Sequence, residues 1–358
     1  MMRGFAAVYV MAGHLAHHFS LGLGKRVDEI IAAPFGYGQE AVMLFFLISG
    51  FVIFYSTEKK KPDFKTYFSH RWKRIYPIFL VALLLGSINI LSSWQSFPWR
   101  DFFGNLFMLQ DWKEVKPGVW FESFGGDLPL WSLAYEWWFY LLFYPIWRFV
   151  PLARQRGVAI LCSLAGLSGY ALHPNQPCLY LLYFILWWTG AEFARQYVSE
   201  GRVTFLKQKI TVITLAGFVI MIAGFLIAAH HYNSWQPATK LPRRGIYPYL
   251  QIQHFLASLF IVGGALMWRR LNWFGFNKCF GIFALAAPIS YGLYAFHFIF
   301  VTGNFFLFIH NEQCRLIAVV IISFIAAWLA EVPLQNFFKR IHFPRSFRQA
   351  ENTSPSAN

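Results

Sequence analysis

The sequence predicts an all-α polytopic transmembrane helix bundle of about ten membrane-spanning helices, with the N- and C-termini cytoplasmic. Three observations carry that expectation. The 358 residues are 57% hydrophobic and only 13% charged, against about 25% charged for an ordinary soluble domain. Apolar runs near the ~20 residues that one helical crossing needs recur along the chain. The Lys and Arg residues are also spread unevenly over the segments that join those runs.

Taken in order, the spans are read at 4–22, 39–56, 75–93, 128–150, 157–172, 177–197, 210–230, 247–268, 289–309 and 315–333. Residues 97–127 form a longer loop whose "FFGNLFMLQ" is too short to cross and is expected to be re-entrant or interfacial. Residues 273–287 read the same way. Residues 1–335 make one membrane domain, and 336–358 a basic and then disordered cytoplasmic tail. No internal repeat is visible, and no cleavable signal peptide is expected, since a charged n-region and a small-residue cleavage site are missing.

With the N-terminus inside, 22 of the 31 Lys and Arg residues fall on inner segments and nine on outer ones. Such a bias fixes orientation in a membrane. The net charge of +15 is therefore mostly a topology signal, and no nucleic-acid partner is expected. The chain reads as a multi-pass protein of the inner or plasma membrane, with membrane lipid as a partner. The sequence leaves its oligomeric state unspecified. Cys162, Cys178, Cys279 and Cys314 show no metal-ligand spacing and read as small packing residues, a Cys178–Cys314 bridge being the alternative. No metal is expected.

Polar groups inside apolar spans are costly and point to function. In "RGFAAVYVMAGHLAHHF" (3–19), Arg3 and His14 are eleven residues apart, about 16 Å and three turns along a helix, so they share a face. Arg3 sits at the lip and His14 near mid-depth, with His17 and His18 nearer the far surface. "FSHRWKRIYP" (68–77) sets Arg71, Lys73 and Arg74 just before a span. Arginines at i and i+3 suit bidentate phosphate recognition, although a basic loop also sets topology.

"DLPLWSLAYEWWFYLLFYP" (127–145) carries Ser132, Glu136 and Tyr140 as a polar stripe at four-residue spacing, Glu136 at a depth similar to His14. A carboxylate there must be paired or protonated. "ISYGLYAFHFIFVTGN" (289–304) places Ser290, Tyr294 and His297 along one face. In "AEVPLQNFFKR" (330–340), snorkelling or pairing with a basic segment accounts for Glu331. Phosphate-binding glycine motifs are absent.

These stretches, with "LFFLISGFVI" (44–53), occur in the order and spacing of the membrane acyltransferase-3 family, which the chain resembles from residue 3 to about 335. Arg3 and His14 match its first-helix Arg, ten residues, His; "RWKRIYP", "LWSLAYEWWFY", "SYGLYAFH" and "AEVP" match later motifs. Where many members carry an acid before the Phe-Phe pair, this chain has Met43, with Glu40 a turn earlier.

The resemblance implies a membrane O-acyltransferase. It would move an acyl group, usually acetyl, from cytoplasmic acyl-coenzyme A (a donor substrate rather than a resident cofactor) to a hydroxyl on a sugar of a cell-surface or exported glycan. On that reading Arg3, Arg71, Lys73 and Arg74 meet the coenzyme. His14, with Glu136 or His297, supplies acid–base chemistry. Ser132, Tyr294 and His297 are candidate oxyanion donors. A transporter for an anionic or glycan substrate, using the same charges without covalent chemistry, is the alternative.

Overall fold

The computed structural model describes residues 1–94, 96–231 and 249–340. The chain folds as a helical bundle: α1 (Met2–His18), α2 (Lys25–Ala32), α3 (Gly38–Lys60), α4 (Phe64–Ser92), α5 (Trp99–Leu106), α6 (Trp131–Phe149) and α7 (Leu152–Leu172) come first. They are followed by α8 (Gln176–Glu200), α9 (Phe205–His231), α10 (Tyr249–Arg270), α11 (Phe276–Phe280), α12 (Ser290–Thr302), α13 (Glu312–Leu329) and α14 (Gln335–Arg340). The only strands among the described residues are β1 (Gln110–Asp111) and β2 (Phe121–Glu122), a parallel pair inside the α5–α6 loop.

The expectation of about ten spans is wrong. Among the described residues five helical segments are long and apolar enough to cross a membrane: Lys25–Lys60, Phe64–Ser92, Phe205–Ala228, Tyr249–Arg270 and Glu312–Phe337. A sixth arises only if Phe276–Ala284 and Ala287–Thr302, bent by 52°, count as one span. The inside–outside map and the cytoplasmic placement of both termini were built on the ten-span count and go with it.

The physical reason lies in the helices that fail the test. α1 has 17 residues and α12 only 13, short of the ~20 that one crossing needs. α6 and α8 are long but rich in Tyr and Trp, and they are mostly covered by protein. In α8, 16 of 25 residues are buried. A helix enclosed by its neighbours need not be apolar enough for lipid.

Ends are set locally. Asp63, Asn175 and Asn311 each accept a backbone N–H of the following turn, from Thr66, Cys178 and Cys314, the usual N-cap chemistry. Gly201, at φ +67°, closes α8 in the left-handed region. α4 begins at Phe64, well before the expected span at 75, so Arg71 and Arg74 ride on the helix itself. α3 and α8 pack backbone to backbone. A methyl on Gly50 would lie 1.9 Å from the Trp187 carbonyl oxygen, and one on Gly190 1.9 Å from that of Leu47. Small residues permit such an approach between membrane helices. All four cysteines are free. The expected disordered tail falls on residues 341–358, outside the described residues.

Candidate active site

α1, α3, α4, α6 and α12 converge on a cavity of about 240 Å³. Arg3, Arg71, Arg74, Ser132, Glu136 and Tyr294 line it. Six residues singled out from four separate stretches of sequence thus meet in one place. Lys73 lies outside the lining, because it is offset by about 100° from Arg74 around α4.

The three arginines differ in their partners. Arg74 donates from Nη1 to Glu331 Oε2 at 2.9 Å and to Gln335 Oε1 at 3.0 Å. Glu331, whose side chain is 1% exposed, accepts the backbone N–H groups of Tyr291 and Gly292 at 2.9 and 3.0 Å. These belong to the first turn of α12, where N–H groups lack helical partners and a negative charge is favoured. Arg74 is therefore a charge-balanced tie between α4, α12 and the π-turn at Ala330–Leu334. Arg71 instead lies over the rings of Tyr67 and Tyr140, 5.5 and 5.9 Å from their centroids. Neither Arg3 nor Arg71 is ion-paired among the described residues.

On α6, Glu136 accepts from Ser49 Oγ of α3 at 2.6 Å and from the Tyr140 hydroxyl. Trp187 Nε1 of α8 donates to that same Ser49 oxygen at 3.1 Å. The carboxylate is thus held by α3 and by its own helix. One turn earlier, the Ser132 and Tyr294 hydroxyls are 2.8 Å apart, and both reach the Pro129 carbonyl, at 3.2 and 3.0 Å. The start of α6 is bonded to the middle of α12 at the cavity wall.

His14 and His297 stand behind that wall. Their ring centroids are 5.3 Å apart, and His14 lies edge-on to Phe298 at 4.6 Å. The Tyr294 ring, which lines the cavity, is 6.1 Å from His297. His14 is half-buried and His297 fully buried. His297 Nδ1 is 2.9 Å from the Leu293 carbonyl oxygen, which can only accept, so Nδ1 carries the proton and Nε2 is left as the basic nitrogen. That Nε2 is buried and has no hydrogen-bond partner. The structure therefore brings His14 to His297, where similar depth in the sequence suggested Glu136 as its neighbour. His17 and His18 are exposed.

The sequence reading missed Ser49 and gave Tyr140 and Tyr291 no role. Ser49 sits inside "LFFLISGF", where a small residue reads as packing; its signal was a hydroxyl in an otherwise apolar helix. In the adjoining loop, Asp127 is fully buried, and neither carboxylate oxygen has a partner. Burial pushes its carboxyl well above the ordinary carboxylate range.

Fold and site together define a class: a multi-pass helical membrane protein whose cavity is lined by three arginines, two of them not ion-paired among the described residues, with hydroxyls and an imidazole pair next to it. A family model described as an acyltransferase domain matches residues 1–332. The chain belongs to that family, the acyltransferase-3 family, and acyl transfer is the family's chemistry. It is similar to the acyltransferase MdmB of Streptomyces mycarofaciens, at 32% identity over 162 residues covering 43% of this chain. The match spans 40% of that relative's length. No solved structure matches the chain significantly.

Proposed function

We propose that the protein transfers an acetyl group from cytoplasmic acetyl-coenzyme A to a sugar hydroxyl of a cell-surface or exported glycan. The observation that carries this reading is the pair Arg3 and Arg71, without carboxylate partners among the described residues, in a cavity that Ser132 and Tyr294 also line. Unpaired guanidinium groups in a partly buried cleft suit phosphate, which they can bind bidentately. Arg3, Arg71 and Arg74 all line the cavity, so its electrostatic field favours a polyanionic donor. Lys73, outside the lining, adds to the positive field around the cavity.

His14 is the general base in this reading, because a half-buried imidazole remains reachable while His297 is sealed. It takes the proton of the acceptor hydroxyl as the oxygen attacks the thioester carbonyl carbon. Ser132 and Tyr294 donate to the developing oxyanion. The carbon–sulfur bond then breaks, and the leaving thiolate takes the proton from the imidazolium. Glu136 serves the site by holding Tyr140 and α3 in place. Arg74 and Glu331 fix where α4 meets α12.

His14→Ala should lower turnover by a factor on the order of 100 or more, with coenzyme A binding retained. Mass spectrometry of surface glycans from cells carrying the wild-type or the variant chain would show the gain or loss of one acetyl per acceptor. Near-normal acetylation with His14→Ala, together with its loss in His297→Ala, would move the base to α12. Unchanged glycans in a deletion strain would sink the acceptor assignment.

A further inference from the structure

From residue 201 to residue 311 the sequence contains no Asp or Glu at all. The described part of that stretch holds Arg202, Lys207, Lys209, Arg269, Arg270 and Lys278. The fold gathers them at one end. The Arg270 guanidinium lies 5.6 Å from the Phe205 ring centroid, so the start of α9 meets the end of α10. Lys207 is paired with Glu200 at 2.5 Å. None of the other five is ion-paired among the described residues.

Beside this cluster runs an apolar groove of about 830 Å³. Leu47 and Phe51 of α3, Phe193 of α8 and Gly264 of α10 form its length, and Trp268 and Trp273 close the end towards the cluster. Asn272 and Asn277 are its polar groups there. The groove lies on the opposite face of α3 from the active cavity, which Phe45 and Phe46 line. Phe260, Met267 and Phe274 along its flank are 74%, 67% and 85% exposed, which in a membrane protein means open to lipid.

We propose that this groove and the α9–α10 cluster form a site for an anionic phospholipid. One hydrocarbon chain lies in the groove, and the phosphate rests against Arg269 and Arg270. A lipid tail gains little by leaving other lipid for a protein groove, so selectivity comes from the headgroup. Six cations at the membrane surface, of which only Lys207 is ion-paired among the described residues, attract anionic headgroups. Indole rings at the groove end match the interfacial level at which Trp is enriched. A topology signal alone would explain the charges but not a chain-sized apolar slot ending beside them.

The test is native mass spectrometry of the detergent-solubilised protein, titrated with phosphatidylglycerol and, separately, with phosphatidylcholine of the same chains. Phosphatidylglycerol should bind more tightly by on the order of tenfold, and the double variant Arg269→Gln/Arg270→Gln should remove that preference. Gly264→Leu fills the groove. A Cβ added at Gly264 meets no other atom within 4 Å, so the new side chain enters open space, and folding is not at stake. It should lower occupancy by both lipids. Equal affinity for the two lipids in the wild-type protein overturns the proposal. Unchanged phosphatidylglycerol binding in Gly264→Leu does so too, since it would reduce the effect to surface charge. Displacement of phosphatidylglycerol by equimolar palmitoyl-coenzyme A would reassign the groove to a donor chain.

Discussion

Two regions of this molecule place cations among aromatic rings, and they do it in opposite ways. In the α5–α6 loop, Lys116 is 1% exposed and Asp111 fully buried, with Nζ 2.7 Å from Asp111 Oδ1. Nζ also lies 3.7 Å from the centre of the Trp131 ring, and Tyr135 donates to the other Asp111 oxygen at 2.6 Å. Burial pulls the Lys116 ammonium below its ordinary value, while Asp111 pulls it back up. In the candidate active cavity, Arg71 also lies over tyrosine rings, yet it has no carboxylate partner among the described residues and is only partly buried. A cation that is matched and sealed is architecture. A cation left unmatched beside a cavity is available to an anion from outside.

The two regions share α6. Trp131 and Tyr135 face the Lys116 pair, while Ser132 and Glu136 face the cavity. The loop therefore fixes the helix that presents the site. Breaking the sealed pair should have the largest effect on stability. Asp111→Ala leaves an ammonium and a tyrosine hydroxyl buried without their acceptor, at a cost of about 3–5 kcal/mol. Thermal unfolding in detergent should show a large fall in apparent Tm, with activity lost in step. A variant with unchanged Tm would mean that the loop opens to water and that the comparison is false.

Arg71→Ala should behave in the opposite manner. On the proposed function it removes a charge-assisted contact to donor phosphate worth roughly 1.5–3 kcal/mol, so the KM for acyl-coenzyme A should rise by about tenfold or more. Acceptor KM and apparent Tm should stay close to wild type, because no buried partner is stranded. Steady-state kinetics with each substrate varied in turn measures this. A fall in Tm without a change in donor KM would place Arg71 with Lys116 as architecture.

Much of the cavity is legible in the sequence because polar groups in apolar helices are few and their spacing fixes a face. Arg3, Arg71, Arg74, Ser132, Glu136 and Tyr294 stand out on that ground alone. Their partners are harder to read. Similar depth does not distinguish a Glu136–His14 contact from the one observed, because depth says nothing about which helices are neighbours. Ser49 and Tyr140 satisfy Glu136, and His297 stands beside His14. The span count fails for a related reason. The Trp and Tyr of α6 and α8 look fit for lipid when counted as hydrophobic, but their O–H and N–H groups bond inside the protein. Tyr135 to Asp111 and Trp188 to Glu192 are examples. Composition alone cannot separate a lipid-facing helix from one enclosed by its neighbours.

The smallest expected effect concerns Asp127, the one buried carboxyl in the α5–α6 loop that resembles neither region. It is sealed like Asp111 but has no partner for either oxygen. Burial raises its folded-state pKa, so the unfolded chain loses the proton first as pH rises. Below the unfolded value near 3.9 both states are protonated and the group has no influence on stability. Above it the unfolded state binds fewer protons than the native state, and stability falls with pH until the native carboxyl also ionises. Asp127→Asn removes that titration while keeping size and shape. The variant should be at least as stable as wild type at neutral pH, and its margin should shrink as pH drops towards 4. Apparent Tm measured across that range in detergent tests the sign. A variant less stable than wild type at neutral pH, with the gap closing in acid, would mean that Asp127 is ionised in the native state and answered by a cation, which would return it to the company of Asp111.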